Sequence, residues 1–272
     1  MLKSFDSARS VTVFTFPEPP GAPAPGELPP VTVHQLDWSA AGLEENEGKV
    51  ALILDNVFTP EECQNLLKAA EDSASWSAAT VRGGPEDKTG PVIDNYRKSG
   101  RILLIDPEVA DRILSKLKPY LPEEAIEAPA SKYPQFREDG APGEDTRTGK
   151  RVQLVRLNER LSYLKYVPGD FFGPHYDGVY RIPDRSEISC LTLQLYLNGS
   201  KEDLEGGTTE FSTYLTRDVV VSVEPRPGRA LIFEQETLRH CGGQVLKGEK
   251  YTIRTDLMFK EVSDRGDESN VA

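Results

Sequence analysis

Cys190-Leu191-Thr192-Leu193-Gln194-Leu195-Tyr196-Leu197 alternates leucine with small or polar side chains and carries no formal charge. Successive side chains of a strand point to opposite faces, so the stretch reads as a strand with one greasy and one polar face. Because the polar face lacks charge, it is expected to look into a cavity rather than into bulk water. Working outward, short apolar runs recur at 160–166, 208–213, 219–223, 230–234 and 251–260, each bounded by Gly, Pro, Asn or Asp. Strands of this length and spacing predict a sandwich, a jelly roll or a small barrel. No internal repeat is present.

The N-terminal half has a different texture. Residues 50–57 read as a buried strand. Thr59-Pro60-Glu61-Glu62 then supplies an N-cap, a proline at the first helical position and a glutamate three residues after the cap, predicting a helix to about residue 70. Asp106-Pro107-Glu108 opens a second helix in which Val109, Ile113, Leu114 and Leu117 recur at helical spacing, until Pro119 and Pro122 end it. Both helices are expected to support a β core. Residues 1–46 are expected to be an N-terminal tail and Pro-rich linker, largely extended, because 17–30 is half proline with almost no large apolar side chain. A single domain is expected over 47–265: a strand and supporting helices at 47–126, an exposed insertion at 127–150 and the β core at 151–262. Residues 263–272 read as an acidic C-terminal tail.

Composition narrows the partners. The 272 residues carry 44 acidic and 32 basic side chains, a formal charge of −12 with the signs interspersed. No nucleic-acid or membrane partner is expected, since an anionic backbone or lipid surface is repelled by such a surface. No apolar run approaches a membrane span, and no secretory signal is recognised, which predicts a cytoplasmic or nuclear protein. The three cysteines, Cys63, Cys190 and Cys241, form no C-x-x-C pair, so a disulfide framework is not expected. Only three histidines are available: His34, His175 and His240.

Pro174-His175-Tyr176-Asp177-Gly178 places an imidazole and a carboxylate two residues apart, on one side of an extended segment. His240, after the 230–234 strand, completes two imidazoles and one carboxylate. With open positions left on the metal, that donor set is the facial triad of non-haem Fe(II) oxygenases. Zinc hydrolysis can use the same ligand types, but the chain contains no H-E-x-x-H.

Several ordered motifs carry a family likeness. Tyr166-Val-Pro-Gly-Asp-Phe-Phe-Gly-Pro-His175-Tyr-Asp177, Leu195-Tyr196-Leu197-Asn198, Gly206-Gly207-Thr208-Thr209-Glu210-Phe211, Pro227-Gly228-Arg229-Ala230-Leu231-Ile232-Phe233 and Gly248-Glu249-Lys250 follow one another in the order of the prolyl 4-hydroxylase-like branch of the Fe(II)/2-oxoglutarate-dependent dioxygenases. The chain resembles that branch over roughly residues 50–260. The resemblance implies a mainly β double-stranded β-helix (jelly roll) backed by N-terminal helices. It also implies Fe(II) at His175, Asp177 and His240, 2-oxoglutarate and O2 as cosubstrates, and ascorbate as a candidate reductant. A cation nine or ten residues after the second histidine is implied as the anchor of the distal carboxylate of 2-oxoglutarate, which points to Lys250. Arg254, four residues or about 13 Å further along the strand, is then expected to meet the primary substrate; the competing assignment makes Arg254 the anchor and leaves Lys250 in solvent. Tyr196, Tyr166 and Thr209 are expected around the cosubstrate. Arg97, in an R-x-S segment, and Arg181, in the 178–188 loop, are expected at the mouth as substrate contacts.

The activity implied is hydroxylation of an unactivated C–H bond with release of succinate and CO2, on a prolyl or other side chain of a protein. The alternative is the same chemistry on a free amino acid or small metabolite, and a distant one is a non-catalytic, cupin-like binding protein. The expected partner is a peptide or small-molecule substrate, and the expected assembly a monomer or weak homo-oligomer.

Overall fold

Leu191, Leu193 and Leu195 are fully buried on one face of the strand Glu187–Tyr196, packed with Leu52, Leu54, Ile253 and Leu257. The computed structural model describes residues 12–15, 29–79, 95–136, 150–216 and 219–262. In the larger of its sheets, Glu187–Tyr196 lies between Ala230–Glu234 and Lys250–Val262, all antiparallel. The sheet continues through Ala51–Asp55 and Thr32–Gln35 on one side, and through Arg160–Tyr166, Gly100–Ile105 and Ser77–Ala78 on the other. A smaller sheet runs Thr12–Thr15, Val219–Val223, Thr209–Phe211, His240–Gly242, Phe171–His175 and Arg97–Lys98. Tyr196, Leu231 and Phe233 of the larger sheet pack with Phe211, Val221 and Val223 of the smaller one. This two-sheet roll is the double-stranded β-helix.

Two helices cover the outside of the larger sheet. Helix α1 (Pro60–Ser73) starts with the predicted capping box: Thr59 accepts from the Glu62 N–H, and Glu62 accepts from the Thr59 N–H. Helix α2 (Pro107–Leu117) is capped by Asp106 and buries Val109, Ala110, Ile113 and Leu117 against the leucine face. The two helices are joined by Lys116 and Glu62, 2.5 Å apart. Beside them, Arg229 and Asp55, both almost fully buried, form a two-pronged ion pair of 2.7 and 2.9 Å between neighbouring strands. Both prongs are satisfied, which is what makes such a buried pair tolerable.

Two sequence expectations need correction. Residues 1–46 are not an extended tail throughout, because Thr32–Gln35 pairs antiparallel with Ala51–Asp55 and Trp38 and Leu43 are buried in the inter-sheet core. The apolar residues there are single and aperiodic, so burial came from tertiary packing and left no pattern to read. Residues 127–150 are not wholly an exposed insertion: Glu127–Pro129 pairs with Arg151–Leu157, and Ala128, Ala130, Tyr133 and Phe136 are buried. The remainder of that segment, 137–149, lies outside the described residues, as do 17–28 of the Pro-rich stretch and the 263–272 tail. No helix among the described residues is long and apolar enough to cross a membrane.

Candidate active site

His175 ends the strand Phe171–His175 and His240 begins His240–Gly242; antiparallel pairing sets the two residues directly opposite each other. Sheet register thus closes the long sequence separation between them. Asp177 follows immediately, and its backbone N–H is held by the Gln235 carbonyl. One ligand atom from each of the three side chains lies within 4.8 Å of the others. The Nε2 atoms of His175 and His240 are 3.6 and 3.8 Å from the Asp177 carboxylate oxygens.

The surroundings orient these donors. His175 Nδ1 lies 2.8 Å from the Gly173 carbonyl and His240 Nδ1 3.1 Å from that of Leu238. Donating Nδ1–H outward leaves each Nε2 lone pair turned toward the cluster, as a metal ligand requires. Burial pushes the His240 imidazole down to about 4, so it is neutral and able to ligate near pH 7. Its ring is wedged against Phe233, 4.5 Å between centroids, and behind that stand Phe211 and Trp38. On the other flank Phe172 stacks on His175 at 3.7 Å. Asp177 Oδ2 accepts from the Thr192 hydroxyl at 2.6 Å and faces the Arg254 guanidinium at 3.3 Å. Burial alone would raise this carboxyl, but Arg254 and the two imidazoles outweigh it and hold it well below the usual carboxylate range. The neutral His240 imidazole, the His175 ring held through its Nδ1 at the Gly173 carbonyl, and an ionised carboxylate, facing one another, fit a divalent iron.

The cluster opens into a cavity of about 1100 Å³ lined on one wall by the polar face of the larger sheet. Register aligns that wall in rows: Tyr166 beside Lys250, Ser162 beside Arg254 beside Gln194, and Asp256 beside Thr192. Lys250 is 2% exposed and lies between the rings of Tyr166 and Tyr196, its Nζ 5.2 and 5.5 Å from their centroids. Among the described residues no carboxylate is within 4 Å of that Nζ, and burial lowers the amine to about 7. Gly207, at φ +69°, makes room for the lysine: a Cβ there would come within 3.2 Å of its Cδ.

The other predicted residues are placed less uniformly. Thr209 lines the cavity, while Tyr196 is fully buried behind it and donates to the Thr209 hydroxyl at 2.7 Å. Arg254 reaches the cluster but is clamped between Asp177 and Asp256, 2.8 Å away. Lys250, for its part, is not in solvent, as the competing anchor assignment required. Arg97 lines the cavity with its guanidinium 4.3 Å over the Phe172 ring. Arg181 does not join it: its guanidinium donates to the Gln135 carbonyl, and it is absent from the lining. Cys241 lines the cavity with its thiol directed at Glu210, and His34 is half-buried on an outer strand.

Sequence reading missed the support of Asp177. Alternation places Thr192 only on a polar face, and the signal for Asp256 is an aspartate between Thr255 and Leu257 within the 251–260 strand. Asp256 accepts from Gln235 at 2.7 Å and Asn158 at 3.0 Å, and Gln235 in turn accepts from Ser189. The alternation predicted for Cys190 also breaks: a bulge between Ser189 and Leu191 puts Cys190 in the leucine core.

Residues 161–255 match the sequence model of the 2OG-Fe(II) oxygenase superfamily. No curated protein matches the chain. Among solved structures, a viral collagen prolyl hydroxylase from Paramecium Bursaria Chlorella virus-1, in its 2OG complex, is 18% identical, with 79% of this chain and 98% of that one covered and a TM-score of 0.46. A Pseudomonas putida prolyl-4-hydroxylase is 17% identical over 81% and 98% of the two chains, TM-score 0.49. A Trichoplax adhaerens prolyl hydroxylase, solved with a hypoxia inducible factor oxygen degradation domain peptide fragment, is 15% identical over 80% and 89%, TM-score 0.50, a likeness of fold. The sequence match over 161–255, the jelly-roll fold and the His-Asp-His cluster agree on a 2OG-Fe(II) oxygenase domain, and the chemistry of that superfamily uses Fe(II), 2-oxoglutarate and O2.

Proposed function

We propose that the protein is a hydroxylase in which His175, Asp177 and His240 hold Fe(II) and Lys250 receives the distal carboxylate of 2-oxoglutarate. The carrying observation is Lys250 itself: a lysine 2% exposed, facing the same cavity as the triad, with no carboxylate within ion-pair distance among the described residues. A buried cation without a countercharge is costly, and a dianion entering the cavity removes that cost. Iron and 2-oxoglutarate, when bound, supply the oxidation: one atom of O2 enters a substrate C–H bond as hydroxyl, the other enters succinate, and CO2 leaves.

The chain's own residues orient and exclude. Thr192 and Arg254 hold Asp177 Oδ2, so Oδ1 is the oxygen left for the metal. The carbonyls of Gly173 and Leu238 hold the imidazole tautomers. Tyr166, Leu164 and Phe172 line the cavity with apolar surface, which keeps water from the lysine end and strengthens the charge pairing there. Thr209, which lines the same cavity and accepts from the Tyr196 hydroxyl, offers a further hydroxyl to the same carboxylate.

For the primary substrate, the family resemblance implies a side chain of a protein. Charge in the cavity favours the alternative, a free amino acid or other small molecule: Arg97, Arg101, Arg160, Lys250 and Arg254 line it against the carboxylates of Asp177 and Asp256. The test of the reaction class is succinate release from 2-oxoglutarate with Fe(II) and air. Turnover is expected in the wild type and lost in His175→Ala together with metal binding. A folded His175→Ala protein that keeps both would remove His175 from the assignment.

A further inference from the structure

The positive surplus in the cavity has a location. In a chain of net charge −12, five cations and two carboxylates among the described residues line one cavity. A divalent metal and the 2-oxoglutarate dianion cancel each other, so their binding leaves that surplus unchanged. Lys250 is assigned to the cosubstrate, Arg254 is paired with Asp177 and Asp256, and Arg97 lies on Phe172 with its Nε 3.3 Å from the Ser99 hydroxyl. Arg160 has no such engagement. Its Nε is buried without a hydrogen-bond partner, and among the described residues no carboxylate lies within 4 Å of its guanidinium.

Position gives this arginine a role distinct from that of Lys250. On the strand Arg160–Tyr166, alternate residues Arg160, Ser162, Leu164 and Tyr166 all face the cavity. Tyr166 is the cross-strand partner of Lys250 and Ser162 that of Arg254, which touches the triad. Arg160 therefore lies one pleat further along the strand than Ser162, at the opposite end of the face from Lys250, about 20 Å away measured along the backbone.

We propose that Arg160 receives a carboxylate of the primary substrate, and that this substrate is a free organic acid or amino acid rather than a segment of polypeptide. The assignment rests on the proposed roles of His175, Asp177, His240 and Lys250. A peptide backbone is neutral and leaves a half-buried guanidinium without its countercharge, whereas a free acid brings that charge next to its own C–H bonds. The Arg160 environment supports the assignment: burial, and then the charge of Arg254, bias the guanidinium against holding its proton and outweigh the opposing charges of Asp256 and Tyr180, and a further carboxylate relieves both. Arg101, another lining residue, shows the same bias from burial, then from Arg97 and Arg160.

The test is calorimetric titration of the full chain, loaded with Mn(II) and 2-oxoglutarate under nitrogen. The probes are the free proteinogenic amino acids and straight-chain monocarboxylic acids, each beside its primary amide. The best-binding acid and its amide are then compared for stimulation of succinate release with Fe(II) in air. At least one acid is expected to bind and stimulate, with its amide weaker by about tenfold or more, the range of a charge-assisted contact. Arg160→Gln should erase the preference for acid over amide, and Arg160→Lys, which keeps the charge, should retain part of it. Equal binding of acid and amide, an unchanged preference in Arg160→Gln, or a terminally blocked peptide outperforming every free acid would overturn the proposal. Wild-type protein that binds 2-oxoglutarate but no acid overturns it alone; failure to bind 2-oxoglutarate overturns the assignment beneath it.

Discussion

Replacing Lys250 with methionine should make the ligand-free protein more stable and at the same time unable to hold 2-oxoglutarate. Burial lowers the amine from 10.5 to about 7, a difference worth about 5 kcal/mol between its charged and neutral forms. The unfolded chain keeps its proton up to the ordinary lysine pKa, while the folded chain gives it up near 7. Between these two pH values the unfolded state binds more protons, so stability rises with pH; the full penalty is present below 7 and gone above 10.5. From pH 7 to pH 9 the wild type should gain about 2 to 3 kcal/mol relative to Lys250→Met, a variant of similar volume that has no charge to bury. Urea unfolding of both proteins at a series of pH values, without cosubstrate, measures this directly. Cosubstrate binding should show the same lysine from the other side. Because the dianion selects the protonated amine, its affinity should fall about tenfold per pH unit above 7, with proton uptake seen by calorimetry in buffers of different ionisation heat. A stability difference that does not vary with pH, or a Lys250→Met protein that binds 2-oxoglutarate normally, would refute the reasoning.

Other consequences concern how the fold supports the site. Arg254→Gln removes the guanidinium from Asp177, and Mn(II) affinity followed by electron paramagnetic resonance should drop about 10- to 100-fold; unchanged affinity would show that Thr192 alone orients the carboxylate. Asp55→Asn strips the charge from a pair in which Arg229 is 2% exposed, so denaturant unfolding should show a loss of about 3–5 kcal/mol. Gly228→Ala puts a Cβ 1.9 Å from the Phe58 carbonyl oxygen at a φ of +77°, and its melting curve should report a loss of at least about 2 kcal/mol; a smaller loss would mean that the turn into Ala230–Glu234 can shift.

Signals that live in a few consecutive residues were readable without the structure. The Thr59 capping box, the Asp106 cap and the leucine alternation each act through neighbours in the chain, and each appears where its local chemistry places it. The His-x-Asp pair was equally legible, because it is a fixed offset on an extended segment, whereas the candidacy of Lys250 came from the family resemblance. Trp38, Leu43, Tyr133 and Phe136 were not, since each is a single apolar residue in a stretch without period, buried by elements distant in sequence. Arg181 illustrates the converse error: a charged residue near the motif in sequence turned toward Gln135 instead.

The donor groups open to this protein are legible in the chain: three histidines, one of them paired with an aspartate two residues on. Only the tertiary structure decided which charges are spent on one another and which are left over. Lys250, Arg254 and Arg160 all carry one positive charge, but cross-strand register sets Arg254 against Asp177 and leaves Lys250 and Arg160 at opposite ends of the same wall. The physical reason is that pairing energy depends on distance and burial, and both are fixed by which strands lie side by side.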